Sequence, residues 1–128
     1  MPMPSSSPIF EAKDLTCTFG SRKKGIVAVD RQTFEIQKNE IVTIVGESGS
    51  GKTTLAKMLL GLQRRTSGEL LFFGKPVVSR VEHFRKVQGV FQDPFSSFNQ
   101  FYPVEKQLID CFNLFDTKPS KQEMLKKV

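Results

Sequence analysis

Gly46-Glu-Ser-Gly-Ser-Gly-Lys-Thr53 decides how this chain is read, because it fills every fixed position of the G-x-x-x-x-G-K-[ST] phosphate-binding pattern. Glycine is needed at 46, 49 and 51 because the backbone must curl with its N–H groups turned inward, and a Cβ would block the curl or the approach of a phosphate. The pattern also demands a strand before the loop and a helix after it. Ile41-Val-Thr-Ile-Val45 is an almost continuous β-branched run, which predicts a strand covered on both faces of a parallel or mixed sheet. After the loop, Leu55, Met58, Leu59 and Leu62 recur at helical spacing, so an amphipathic helix is expected from Lys52 onward, its last turn weakened by Gly61.

The loop's chemistry follows from its parts. Gly46, Glu47, Ser48, Gly49, Ser50 and Gly51 are expected to wrap the phosphates of a nucleotide, read as ATP, with the positive end of the following helix aimed at the anion. Lys52 would place a full positive charge between the β- and γ-phosphates. The Thr53 hydroxyl suits Mg2+, a hard cation that prefers oxygen, and Thr54 could hydrogen-bond the α-phosphate.

Working outward, Leu15, Cys17 and Phe19 alternate with Thr16 and Thr18, the period of a half-buried strand ending at Gly20. Ile26 to Val29, then Phe34 and Ile36, suggest further strand, with a turn at Lys38-Asn39-Glu40. Beyond Thr66-Ser67-Gly68, Glu69 to Phe73, Gly74-Lys75-Pro76 and Val77-Val78 read as a hairpin. Val87 to Gln92 reads as a short strand despite Gly89, and 93–103 as a long loop. Val104, Leu108, Phe112 and Phe115 return at helical spacing, and Ser120-x-x-Glu123 resembles a capping box. Met1 to Pro8, rich in Pro and Ser, is expected to be a disordered tail. Residues 9–92 would form a nucleotide-binding core and 93–128 its continuation.

Composition narrows the classes. With 128 residues, 38% hydrophobic and 25% charged, the chain suits one soluble domain or part of one, and no apolar run approaches the roughly 20 residues that span a bilayer. A net charge of +6 raises nucleic acid as a partner, but the basic residues are scattered over Arg22-Lys23-Lys24, Arg64-Arg65 and the last turns rather than gathered, which argues against it. Two cysteines, Cys17 and Cys111, without a Cys-x-x-Cys, predict free thiols. His83, beside Glu82 and Arg85, reads as a surface residue, and Gln92 as either a water or metal ligand or a polar strand end.

Taken together these segments resemble the ATP-binding subunit of an ABC transporter of the oligopeptide and dipeptide importer type. Thr16-Cys-Thr-Phe19 is similar to the aromatic A-loop, Ile44 to Thr54 to the peptide-importer phosphate loop, Ser67-Gly-Glu-Leu70 with Gly74-Lys-Pro76 to the family hairpin, and Val90-Phe-Gln-Asp-Pro94 with Ser96, Ser97 and Asn99 to the Q-loop. The resemblance runs from Ile9 to Phe115. It implies an α/β fold, the P-loop NTPase core of an ABC ATPase with an N-terminal antiparallel β portion, truncated before the signature and Walker B segments.

What the resemblance implies for function is specific. Phe19 would stack on adenine, and Gln92 would reach the Mg2+ and the attacking water, so that Lys52 and Gln92 carry the catalytic share present here. Membrane subunits would be contacted through the Q-loop region, a second ATP-binding subunit would complete the site, and the protein would sit peripherally on the cytoplasmic face of the membrane. No LSGGQ signature, Walker B Asp-Glu or switch histidine stands in these residues. Two readings therefore remain: a portion of an importer ATPase, or a short non-hydrolysing nucleotide-binding or regulatory module that docks on transporter subunits. A GTPase would show Asn-Lys-x-Asp, and none is present.

Overall fold

A β-bulge near Asp14 organises the first sheet of the computed structural model, which describes residues 7–20, 24–77, 80–93 and 98–112. Strand β1, Phe10–Phe19, begins earlier than the Leu15 alternation suggests. Its buried side chains are Phe10 and Ala12, then Leu15 and Cys17, so the inward parity changes from even to odd positions across Lys13-Asp14. One extra residue restores the inward face. Asp14 adopts φ 47°, a left-handed conformation that Asp tolerates better than most residues, and its N–H donates to Thr33 Oγ1 at 3.0 Å. The Thr16 hydroxyl donates to Asp14 O and accepts the Arg31 N–H, both at 3.1 Å, which locks the kink to the neighbouring strand.

That neighbour is β2, Ile26–Ile36, one continuous antiparallel strand where the sequence suggests two pieces. The turn at Lys38-Asn39-Glu40 forms as expected, with Asn39 at φ 62° and the Gln37 N–H donating to Glu40 Oε2 at 2.7 Å. On the other side of β1 lies β3, Ser67–Phe72, joined by the Phe73-Gly74 turn to β4, Lys75–Pro76. The sheet order is β2-β1-β3-β4, antiparallel throughout. Ser67 and Gly68 thus belong to a strand rather than to the connection. The hairpin turns one residue before Gly74-Lys75-Pro76, because Phe73 and Gly74 both take the positive φ that a two-residue hairpin loop favours. Val78 lies outside the described residues.

Helix α1, Lys52–Leu59, follows the phosphate loop as expected but is shorter than the apolar repeat. Gly61 turns left-handed at φ 71°, so Leu62, Arg64 and Arg65 lie beyond the helix and only Met58 of the repeat is fully buried. Leu15, Cys17 and Met58 are the largest fully buried side chains, and burial of a Leu or Met contributes about 1.5–3 kcal/mol each. Cys17 is a free thiol, as expected; its Sγ–H reaches Arg64 O at 3.7 Å. The side chain of Cys111 lies outside the described residues.

Two expected strands are not formed. Ile41–Val45 has no ladder partner among the described residues, and Ile41 is 96% and Val45 83% exposed. Val87 to Gln92 is irregular as well. β-Branched preference favours extended backbone, but a strand exists only where a neighbour accepts its hydrogen bonds, and no described residue offers one. Helix α2, Arg80–Lys86, arises in the polar stretch that shows no helical repeat, whereas α3, Val104–Phe112, follows its apolar spacing. The tail as far as residue 6, Phe115 and the capping box at Ser120 lie outside the described residues. The chain divides into two compact units, Met1–His83 and Phe84–Val128.

Candidate phosphate-binding site

The loop is anchored where its last glycine meets β2. An ideal Cβ on Gly51 would stand 1.9 Å from Ala28 O, and Gly51 has φ 92°, so both space and backbone demand glycine. Gly49, at φ 80° with open space around it, is required for its conformation alone. Nothing in the sequence of β2 marks Ala28 as the wall against which the loop turns. This contact is what the sequence reading missed.

Gly51 is also the N-cap of α1, and it supplies no side-chain cap. The first N–H of the segment to find a backbone acceptor is that of Leu55, which donates to Gly51 O at 2.9 Å. The N–H groups of the first turn thus have no backbone acceptor among the described residues, at the positive end of the helix. A Ser or Asp at this position would have consumed one of them.

Lys52 folds back across the loop. Its Nζ donates to Gly46 O at 2.8 Å and Glu47 O at 2.5 Å and lies 3.4 Å from Ser50 Oγ, while the Ser50 N–H donates to Glu47 O at 3.2 Å. An ammonium has three protons, and here the loop's own oxygens take them. The cation is centred on the loop's own oxygens. Beside it a cleft of about 410 Å³ is lined by Lys52, Gly46, Ser50, Leu55, Ala28 and Asp30 among others.

The expected site residues divide accordingly. Gly46, Glu47, Ser48, Gly49, Ser50, Gly51, Lys52, Thr53 and Thr54 form one continuous loop and first turn, with Thr53 exposed and Thr54 half-buried. Phe19 ends β1 in the same unit and is 45% exposed rather than inward with Leu15 and Cys17. Gln92 is exposed, in the second unit. His83 departs from its expected surface position: it is 4% exposed, with its ring against Phe72 and Phe10 at centroid distances of 5.1 and 6.1 Å. A polar neighbourhood in sequence hid it, because α2 turns one face inward.

The family model described as ABC transporter matches residues 29–128. This chain belongs to that family. As an ABC transporter chain it is 40% identical, over 96% of its own length, to the oligopeptide transport ATP-binding protein OppF of Streptococcus pyogenes serotype M1. It is 39% identical, over 74% of its length, to the oligopeptide transport ATP-binding protein AmiF of Streptococcus pneumoniae. It spans 43% of the first of these relatives and 33% of the second.

Solved structures agree on the fold. CbiO1 from Clostridium perfringens, part of the ABC transporter complex cbiONQ, superposes with a TM-score of 0.67 at 25% identity, covering 95% of this chain and 48% of that one. A dimeric ATP-binding cassette in a post-hydrolysis state with ADP and phosphate gives 0.66 at 21% identity, covering 92% of this chain and 53% of that one. The antiparallel sheet β2-β1-β3-β4 is the N-terminal part of the ABC ATPase fold that the sequence predicts. Among the described residues, no helix is long and apolar enough to cross a membrane.

Proposed function

We propose that this chain provides the phosphate-binding half of an ATP site in the ATPase subunit of an ABC importer of peptides. The observation that carries the reading is Lys52, centred on the loop oxygens at the mouth of an uncapped helix. The donors present fit a polyphosphate: several N–H groups, one ammonium and the Thr53 and Thr54 hydroxyls. When bound, ATP with Mg2+ supplies the phosphate charge and most of the metal's oxygen ligands. Thr53 would add a hydroxyl to the metal, Lys52 would neutralise charge on the β- and γ-phosphates, and Phe19 would stack on the base.

Gln92 would supply a further ligand for the metal and orient water. The segment around it is the contact to membrane subunits, and a second ATP-binding subunit completes the site, with the protein on the cytoplasmic face of the membrane. The peptide substrate rests on the names of the oligopeptide relatives. As a separate polypeptide, these 128 residues bind nucleotide without turning it over, because no Walker B carboxylate stands among them to take the proton of the water that Gln92 would orient.

Equilibrium dialysis with radiolabelled Mg-ATP, run beside a phosphate-release assay, tests both parts. Binding by the unsubstituted chain that Lys52→Ala removes, with no steady phosphate release, is the expected result. Release abolished by Lys52→Ala would overturn the second part, and absence of binding the first.

A further inference from the structure

Helix α1 is only eight residues long, roughly 12 Å, so whatever fixes its far end also aims its first turn at the ligand. Its N-terminal end is set by Gly51 against Ala28 O. At the C-terminal end the carbonyls must find donors outside the helix ladder. Lys57 O accepts from the Leu62 N–H at 2.8 Å and the Gln63 N–H at 3.1 Å, and Met58 O accepts from the Gly61 N–H at 2.9 Å. The last carbonyl, Leu59 O, lies 2.6 Å from His83 Nε2, which must carry the proton and donate.

Two further observations show that this imidazole is held in place. The ring is buried against Phe72 and Phe10, side chains of β3 and β1. A Cβ on Gly61 would stand 2.9 Å from His83 Cδ2, so the left-handed turn after α1 leaves room for the ring. Without His83, the half-buried Leu59 O would lose this donor.

We propose that His83 is a positioning residue of the phosphate site: its Nε2–H holds the C-terminal carbonyl of α1 against the sheet and thereby sets the direction of the first-turn N–H groups and of Lys52. The proposal rests on the phosphate-site reading above.

Two substitutions separate donation from packing. His83→Leu keeps an apolar side chain against Phe10 and Phe72 but offers no donor, whereas His83→Gln restores an N–H at similar reach. With Mg-ATP as the probe, His83→Leu should weaken affinity about tenfold, the order expected when a half-buried acceptor loses its donor, and His83→Gln should stay within about twofold. Amide exchange at Leu60 to Gln63 should quicken in His83→Leu alone.

Equal affinities for the two variants, or tighter binding by His83→Leu, would overturn the proposal and leave the phosphate site intact. If the unsubstituted chain binds no Mg-ATP, the phosphate-site reading falls and takes the proposal with it. Near-ultraviolet circular dichroism reports folding. Should only His83→Leu fail to fold while His83→Gln binds normally, the donor requirement stands; failure of both makes packing the ring's contribution and overturns the proposal.

Discussion

Gly51 lies against Ala28 so closely that a methyl group there would stand 1.9 Å from the Ala28 carbonyl oxygen, far inside van der Waals contact. The phosphate loop therefore borrows its shape from a strand more than a helical turn away in sequence, and the first turn of α1 cannot move without moving β2. Gly51→Ala should displace α1 or cost about 3 kcal/mol or more, from the clash combined with φ 92°. Urea unfolding followed by circular dichroism measures the loss, and unchanged stability would rule out this packing.

Lys52→Ala should leave the fold intact, since among the described residues Nζ bonds to Gly46, Glu47 and Ser50, all within the loop. Mg-ATP affinity should fall by about 100-fold, as expected for losing charge-assisted bonds to phosphate. Dialysis binding and a thermal melt on the same sample check the two halves.

Phe19→Ala should distinguish base from phosphate recognition. The ring is half-exposed at the end of β1, so stability should change little. ATP affinity should drop by about 1–3 kcal/mol if the ring stacks on adenine, while inorganic triphosphate binding should not change. Parallel calorimetric titrations with the two ligands would expose a different role if both weaken together.

Gly68 and Gly74 offer a controlled pair in one hairpin. Both have positive φ, 78° and 70°, but a Cβ on Gly68 would stand 2.2 Å from Asp14 O, whereas Gly74 has open space. Gly74→Ala should cost about 1–2 kcal/mol, the usual cost of a left-handed alanine, and Gly68→Ala distinctly more. Equal losses in denaturant melts would mean that the Asp14 bulge gives way without resistance.

The unpaired Ile41–Val45 segment predicts self-association of the 128-residue polypeptide. Exposed β-branched backbone without a ladder partner is a template for pairing with another chain. Ile41→Lys should lower the apparent mass at high concentration in sedimentation velocity and leave the melt unchanged, because the side chain is already in solvent.

These cases show where sequence reading succeeds. The phosphate loop, α1, the turn at Asn39 and the strand alternation in β1 are legible because local backbone preference or side-chain periodicity specifies them. Ile41–Val45 carries strand preference just as clearly, and Val87–Gln92 carries it despite Gly89, yet among the described residues neither pairs, since a ladder needs a neighbour. The true start of β1 was obscured by the Asp14 bulge, which switches parity in mid-strand.

By itself the sequence specified the pattern of Gly46 to Thr53 on which the proposed phosphate cradle rests, because glycine placement, one lysine and adjacent hydroxyls are written locally. Only the tertiary structure decided what holds that cradle. Ala28 at one end of α1 and His83 at the other lie far from the loop along the chain, and no local pattern marks either. Their contacts depend on how β2 and α2 come to rest against α1. A close approach and a buried hydrogen bond are properties of packing, so they appear only when the elements are brought together in space.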